Sequence, residues 1–256
     1  RRDSIGADSL IIVEKSRKAD AKMRFFNQDG SEGKAAGNAI RAVAKYLYDN
    51  NVYGVADKHS RITDPTAIIS VETAVGIKKL VLYKLEGKVS SVTVEMGNPI
   101  FEPAQIPTTL ETTQNGAIVN APLDVDGMSY NVTCVNIGNP HCVVFSSFVD
   151  KVDVEKIGPI FEKHEVFPER TNTEFVRVVG PNELKMRTWE RGNGETPACG
   201  TGACAAVVAS VLNGFCKKDE EITVSVRGGK LSVKYTDNGI FLTGNTKELY
   251  NGTVEI

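Results

Sequence analysis

The sequence predicts an α+β fold of two pseudo-symmetric domains, each a curved, mostly antiparallel sheet wrapped around a central helix, with the active site in the inter-domain cleft. Three observations predict it: short runs with β-branched residues at every second position, two apolar helical segments, and an internal repeat that leads into both helices. Period-two alternation marks strands with one solvated face. A helix that is apolar on most sides has to be covered by such strands.

The elements follow in order. Residues 10–14 and 23–26 read as strands. Residues 37–48 carry Ile40, Val43, Ala44 and Leu47 on one helical face and stop at Asp49-Asn50-Asn51. Two alternating runs, 77–85 and 89–96, come next, followed by proline-rich sequence at 99–107. That stretch is the expected link between domains of residues 1–100 and 101–244. In the second half, strands are expected at 130–137, 142–146, 174–179, 184–189, 222–226, 231–235 and 240–243. Turn signals such as Arg227-Gly228-Gly229 and Asp237-Asn238-Gly239 separate them. Residues 154–164 form a more exposed helix, whereas 200–212 are apolar on nearly every face and end at Asn213-Gly214.

The repeat emerges on a shift of 163 positions, which sets Asn27-Gln28-Asp29-Gly30-Ser31-Glu32-Gly33-Lys34-Ala35-Ala36-Gly37-Asn38 under the segment from Glu190 to Thr201. Glu32 falls on Glu195, Ala35 on Ala198 and Gly37 on Gly200. Ala36 falls on Cys199. Such a repeat implies two similar halves, each offering a helix N-terminus to the cleft.

Composition narrows the function. Thirty basic and 32 acidic residues leave a net charge of −2, so no long-range field draws nucleic acid or a membrane surface, and a small polar ligand is the natural partner. No apolar run approaches the roughly 20 residues of a bilayer span, and no leader is visible, which predicts a soluble, cytoplasmic chain. Five cysteines form an odd set without close pairs, which argues against disulfides and zinc alike. The chain opens in mid-pattern at Arg1, which predicts a preceding segment. For a chain of this size a homodimer is a common state.

Cys199 is the residue that carries chemistry. A thiol at the first turn of a helix faces unpaired N–H groups and the positive end of the macrodipole, which favours thiolate. The N–H groups of Gly200, Thr201 and Gly202 offer a cradle for a carboxylate beside it. That pairing suits removal of a proton next to a carboxylate. Cys134, Cys204 and Cys216 lack glycine-rich surroundings and read as packing residues. Of Glu190 and Arg191, adjacent at a strand end, one side chain can face the cleft, and the guanidinium fork makes Arg191 the expected one. Asn27, Asn139 and Asn172 stand in turn-like settings, where asparagine is common, yet an amide trio could hold both ends of an amino acid. His141 is expected to cap or pack the turn 138–141. No lysine stands in a pyridoxal phosphate setting, and Gly192-Asn193-Gly194 lacks the context of a dinucleotide site, so no cofactor is expected.

These motifs together resemble the diaminopimelate epimerase family over nearly the whole chain. The resemblance rests on Ser4-Ile5-Gly6-Ala7-Asp8, the segment from Phe26 to Glu32, Gly37-Asn38, Gly138-Asn139-Pro140-His141, Arg170-Thr171-Asn172 and the segment from Glu190 to Ala205. It implies that residues 245–256 return to the first domain. It also implies a cofactor-independent isomerase in which two cysteines on opposite faces of the substrate α-carbon interconvert LL- and meso-diaminopimelate. Cys199 would be one of the pair, and Ala36 would stand in the place of the other. The reacting carboxylate would lie on N–H groups around Gly37, Asn38, Gly200 and Thr201. Asn27, Asn139, Asn172, Glu190 and Arg191 would hold the distal amino acid end.

Three departures stand against that pattern, one of them the segment expected before Arg1, which in the family brings another asparagine into the site. Ala36 removes a base, so the chain as written is expected not to turn over normally, and Ser9 occupies a position near the reacting end where the family usually has another residue. A racemase of another amino acid and a non-catalytic amino-acid-binding homologue on the same fold are the competing readings.

Overall fold

In the first half of the chain, alternate side chains turn inward along five paired strands. The protein is described by a computed structural model for residues 9–27, 30–33, 37–59 and 64–253. The chain divides into two compact units, Arg1–Glu95 with Thr243–Ile256, and Met96–Leu242. The first unit contains β1 (Leu10–Glu14), β2 (Ala21–Phe26), β3 (Glu32–Gly33), α1 (Gly37–Asp49), the short α2 (Val55–His59), β4 (Thr66–Thr73), β5 (Gly76–Leu85) and β6 (Lys88–Gly97, ending past the unit boundary). Its strand order is β1-β2-β4-β5-β6, with β3 paired to β2. Met23, Ile69, Val71, Leu80, Leu82, Val92 and Val94 are buried from the strands, as are Ile40, Val43, Ala44 and Leu47 from α1. Each of these side chains other than Ala44 contributes roughly 1.5–3 kcal/mol of burial. The end of α1 is tied to the sheet: Asp49 accepts the Val89 N–H at 2.9 Å, and Lys45 Nζ reaches Asp49 at 2.6 Å and the Val89 carbonyl at 2.7 Å.

The second unit holds β7 (Ile118–Val125), β8 (Met128–Asn136), β9 (Pro140–Phe145), α3 (Val154–Glu162), β10 (Asn172–Gly180), β11 (Glu183–Glu190), β12 (Gly194–Thr196), α4 (Gly200–Leu212), β13 (Glu221–Val226), β14 (Gly229–Thr236) and β15 (Gly239–Asn245, ending past the boundary). From β14 the order runs β13-β11-β10-β9-β8-β7, and β12 pairs with β11. Helix α4 is buried from Gly202 to Ser210, and Val135, Val143, Val176, Leu184 and Met186 pack around it. The other face of the same strands carries Cys134, Cys142, Val144 and Phe175, which pack with Phe161 of α3 and with Phe167.

The pairing is mostly antiparallel, as expected, with three parallel exceptions: β2 with β4, β9 with β10, and β11 with β13. One expectation changes. Strands β8, β9 and β10 do not keep a solvated face: α4 lies on one side and α3 on the other, so their middles are buried on both. Strands β4 and β7 were not expected. In β7, Asn120 sits at φ 53°, Pro122 interrupts the run and the register shifts between Ile118 and Ala121. Asparagine and proline blur the alternation, and an edge strand tolerates both.

The repeat is visible inside each unit. A strand (β2 or β11) leads into a short antiparallel strand (β3 or β12), and a helix (α1 or α4) follows at equivalent positions. The same ion pair recurs on the 163-residue shift: Arg24 meets Glu32 bidentately at 2.8 and 2.9 Å, and Arg187 meets Glu195 at 2.8 and 3.1 Å.

Candidate active site

The site in the second unit is built where β9 and β10 begin and β11 ends, over the N-terminus of α4. Leu184 and Met186 face α4, so period-two alternation carries Thr188 and Glu190 to that side as well. By the same rule Asn172 and Glu174 share the side of Val176, and His141 that of Val143. Register sets Glu174 opposite Thr188 and His141 opposite Asn172. A sheet face that is otherwise apolar thus becomes polar where it meets the first turn of α4.

Cys199 is the N-cap of α4, with extended backbone (φ −117°, ψ 116°). Its Sγ accepts the Gly202 N–H at 3.3 Å and lies 3.4 Å from Thr201 Oγ1. One of the three expected cradle amides is therefore engaged by the thiol itself. Gly200 and Thr201, in the first turn, have amides with no intrahelical acceptor and remain as the anion-binding pair.

The expected thiolate is not what this environment favours. Burial pushes the Cys199 thiol well above its ordinary value, and the charges of Glu190 and Glu174 push it further in the same direction. The Thr201 hydroxyl and the Gly202 amide oppose this and do not prevail. The side chain is only 6% exposed, so desolvation outweighs the partial charge of a helix end. Cys199 is therefore held as a thiol, a proton donor in waiting. Removing one of the two charges moves it back: Glu190→Gln is expected to raise the alkylation rate of Cys199 by iodoacetamide at pH 8 by up to about tenfold. The measurement is mass spectrometry of the peptide that bears Cys199, and an unchanged rate would show that Glu190 does not govern the thiol.

Between Glu190 and Arg191 the expectation reverses. Glu190 is close enough to act on Cys199 and accepts the Thr196 hydroxyl, while Arg191 donates from Nη1 to the Glu169 carbonyl at 2.9 Å. The strand ends at Glu190, so alternation governs its side chain and not that of the following residue. Asn172 is buried in a bracing role: its Nδ2 donates to the Pro140 carbonyl at 2.7 Å and its Oδ1 accepts the Arg191 N–H at 2.9 Å. Asn139 Oδ1 lies 2.9 Å from His141 Nε2, and His141 Nδ1 lies 2.9 Å from Glu174 Oε1.

In the first unit, Asn27 closes the turn before β3, where its Nδ2 donates to Ser31 Oγ at 3.0 Å. Gly37 opens α1, and Asn38 in its first turn accepts from Arg41 Nη2 at 3.0 Å. Ala36, like residues 1–8, lies outside the described residues. Sequence reasoning overlooked Glu174 and Glu162. The available signal was a charged residue inside the run Asn172-Thr173-Glu174-Phe175-Val176, all of which is buried. Among the described residues no cluster of His, Cys, Asp and Glu converges as a metal set, and all five cysteines are buried thiols. No helix among them is long and apolar enough to cross a membrane.

The sequence profile of diaminopimelate epimerase matches residues 1–102 and 133–249. The diaminopimelate epimerase of Agathobacter rectalis is 45% identical over 262 aligned positions, covering 100% of this chain and 87% of that protein. That of Desulfovibrio desulfuricans is 44% identical, covering 98% and 85%. Among solved structures, a hydroxyproline epimerase from Agrobacterium vitis superposes with a TM-score of 0.65 at 15% identity, over 94% of this chain and 74% of that one. A phenazine biosynthesis protein of Bacillus anthracis gives 0.62 at 16% identity, over 93% and 81%. At those identities the likeness is one of fold. Fold, thiol and relatives together define an isomerase of the cofactor-independent epimerase and racemase class. Within that class, the chain belongs to the diaminopimelate epimerase family.

Proposed function

We propose that this chain binds diaminopimelate and exchanges a proton at its α-carbon through Cys199, as one half of a two-base epimerase that interconverts the LL and meso forms. The observation that carries this reading is a buried thiol at a helix N-cap, with two first-turn amides beside it, in a chain 45% identical to a diaminopimelate epimerase. In the abstraction direction, Sγ as thiolate takes the α-proton and the electron pair of the C–H bond spreads into the adjacent carboxylate. The amides of Gly200 and Thr201 meet the charge that develops there. In the return direction, the Cys199 thiol gives its proton to the carbanion-like centre. Glu174 and Glu190 support this second step, since both keep Sγ protonated.

Inversion also requires an acid or base on the opposite face. In this reading position 36 has that role, which the family resemblance supports, and a methyl group neither takes nor gives a proton. The chain as written therefore catalyses no net inversion in this reading, and Ala36→Cys restores it. The test is the conversion of LL- to meso-diaminopimelate followed by chiral chromatography. A folded Ala36→Cys chain that binds diaminopimelate without converting it would sink the epimerase reading in favour of a binding protein, and conversion of a different amino acid would reassign the substrate. Asn139, Asn172, Glu190 and Arg191 are the proposed distal-end residues, supported by their grouping around one strand end. The roles of Asn27, Gly37 and Asn38 rest on the resemblance alone. A homodimer completes the proposal, the commonest state of soluble oligomers, and light scattering at the monomer mass would refute it; a cytoplasmic location is proposed with it on the family resemblance.

A further inference from the structure

The chain leaves β12 at Thr196 and enters α4 at Gly200, so Pro197, Ala198 and Cys199 belong to neither element. Pro197 has no N–H with which to anchor this stretch. Against it lies the turn between β13 and β14, Arg227-Gly228, whose flanks Val226 and Gly229 pair directly. The Gly228 N–H donates to the Pro197 carbonyl at 2.7 Å. The seat is close: a Cβ on Gly228 would stand 3.2 Å from the Pro197 carbonyl oxygen and 3.4 Å from Ala198 Cβ.

Arg227 makes a second contact from the same turn, with Nη1 3.0 Å from Glu195 Oε2. The Glu195 side chain is 5% exposed, and Arg187 of β11 already holds it through Nε at 2.8 Å and Nη2 at 3.1 Å. One buried carboxylate thus joins guanidinium groups from two elements. Arg187, mostly buried, also donates to the Val152 carbonyl at 2.6 Å and belongs to the framework. Arg227 is 60% exposed, and an ion pair with so exposed a donor shifts an equilibrium about fivefold at most. That is little for the stability of a whole unit. It is much for a three-residue stretch, which opens at a fraction of the global cost.

The first unit supplies a comparison. Its repeat places Glu32 where Glu195 stands, and Arg24 meets Glu32 as Arg187 meets Glu195. Yet the Glu32 side chain is 43% exposed. Strand β2 pairs in parallel with β4 as β11 does with β13, so the counterpart of Arg227-Gly228 is the turn between β4 and β5. There Thr73 and Gly76 pair directly around Ala74-Val75, which carries no cation. The second arm is present in the half that bears Cys199 and has no counterpart on that turn of the other half.

We propose that the Arg227-Gly228 turn positions Cys199: acting through Glu195 and the Pro197 carbonyl, it fixes the backbone that brings Sγ to the substrate α-carbon. The part played by Sγ rests on the proposed function. Arg227 touches no reacting atom and sets the fraction of time the thiol is in place.

The test substitutes Arg227, whose exposure lets the chain fold without it. Arg227→Met is expected to lower exchange of the diaminopimelate α-proton in heavy water about fivefold, with the affinity for diaminopimelate by titration calorimetry unchanged. Arg227→Lys is expected to restore the parent rate, because the contact uses a single nitrogen. A second measurement needs no ligand. Cys204 lies five residues on in α4 and is fully buried, so iodoacetamide alkylation followed at both cysteines by mass spectrometry separates local from global opening. Arg227→Met is expected to raise the rate at Cys199 about fivefold and to leave Cys204 unchanged. Equal acceleration at both cysteines, or none at Cys199, overturns the proposal. So does a lysine variant no better than methionine, a loss of affinity that matches the loss of rate, or an unchanged exchange rate in a chain that exchanges. If the parent neither binds nor exchanges diaminopimelate while Cys199 alone loosens, the positioning stands and it is the substrate reading that fails.

Discussion

Gly202→Ala is expected to destabilise the chain by about 3 kcal/mol and to abolish α-proton exchange at Cys199. Helix propensity alone predicts the opposite sign, since alanine in place of glycine inside a helix gains about 1 kcal/mol. Space decides the matter. A methyl on Gly202 would stand 2.7 Å from Glu174 Oε1 and 3.2 Å from both Glu174 Cδ and Cys199 Cβ. Neither neighbour can yield cheaply. Glu174 is fixed by His141 and Thr188, and Cys199 accepts the amide of Gly202 itself. Overpacking of a full core costs roughly 1–3 kcal/mol, and disturbing a hydrogen bond to a charged group about 1.5–3 more. Urea unfolding gives the first number, and exchange of the substrate α-proton in heavy water gives the second effect. A variant as stable as the parent would show that the thiol and the carboxylate do not share the space over this glycine.

Much of this architecture was legible in the residues, for reasons that differ by element. Helix α4 announces itself because every face is apolar and Asn213-Gly214 stops it, and its observed bounds, Gly200–Leu212, coincide with the expected ones. The repeat was legible because glycine and glutamate recur where a strand turns into a helix. Its strongest element, the recurring Arg24–Glu32 and Arg187–Glu195 pairs, lies outside the aligned window on the arginine side and was missed. Strand β7 was hidden by Asn120 and Pro122, which are breakers on any propensity scale. The protonation of Cys199 was misjudged for a physical reason: a helix N-terminus is visible in sequence, while burial and two carboxylates arriving from other strands are not. The direction of Glu190 was recoverable. Alternation counted forward from Met186 would have placed it on the α4 side.

Glu162→Ala is expected to cost about 3–4 kcal/mol, because two donors would be left without their acceptor. Glu162 is the last residue of α3 and is 4% exposed. Its Oε2 accepts the Trp189 indole N–H at 2.6 Å and its Oε1 accepts the Gly192 N–H at 3.1 Å, with Arg170 Nη1 3.6 Å away. One carboxylate therefore clasps the helix to the turn that follows Glu190. The indole can lie across α3 only because residue 158 is glycine: a Cβ there would stand 2.5 Å from Trp189 Cγ. Trp189 is the sole tryptophan, so its fluorescence reports this clasp directly. Glu162→Ala should shift the emission to longer wavelength and lower the unfolding midpoint, while Glu162→Gln, which keeps one acceptor oxygen, should fall between it and the parent. The site should respond with the fold. Glu190 and the Gly192 turn are set by this contact, so the alkylation rate of Cys199 should change in the alanine variant as well. Emission and stability unchanged from the parent in both variants would mean that the turn is held by its own glycines and that Glu162 is a bystander.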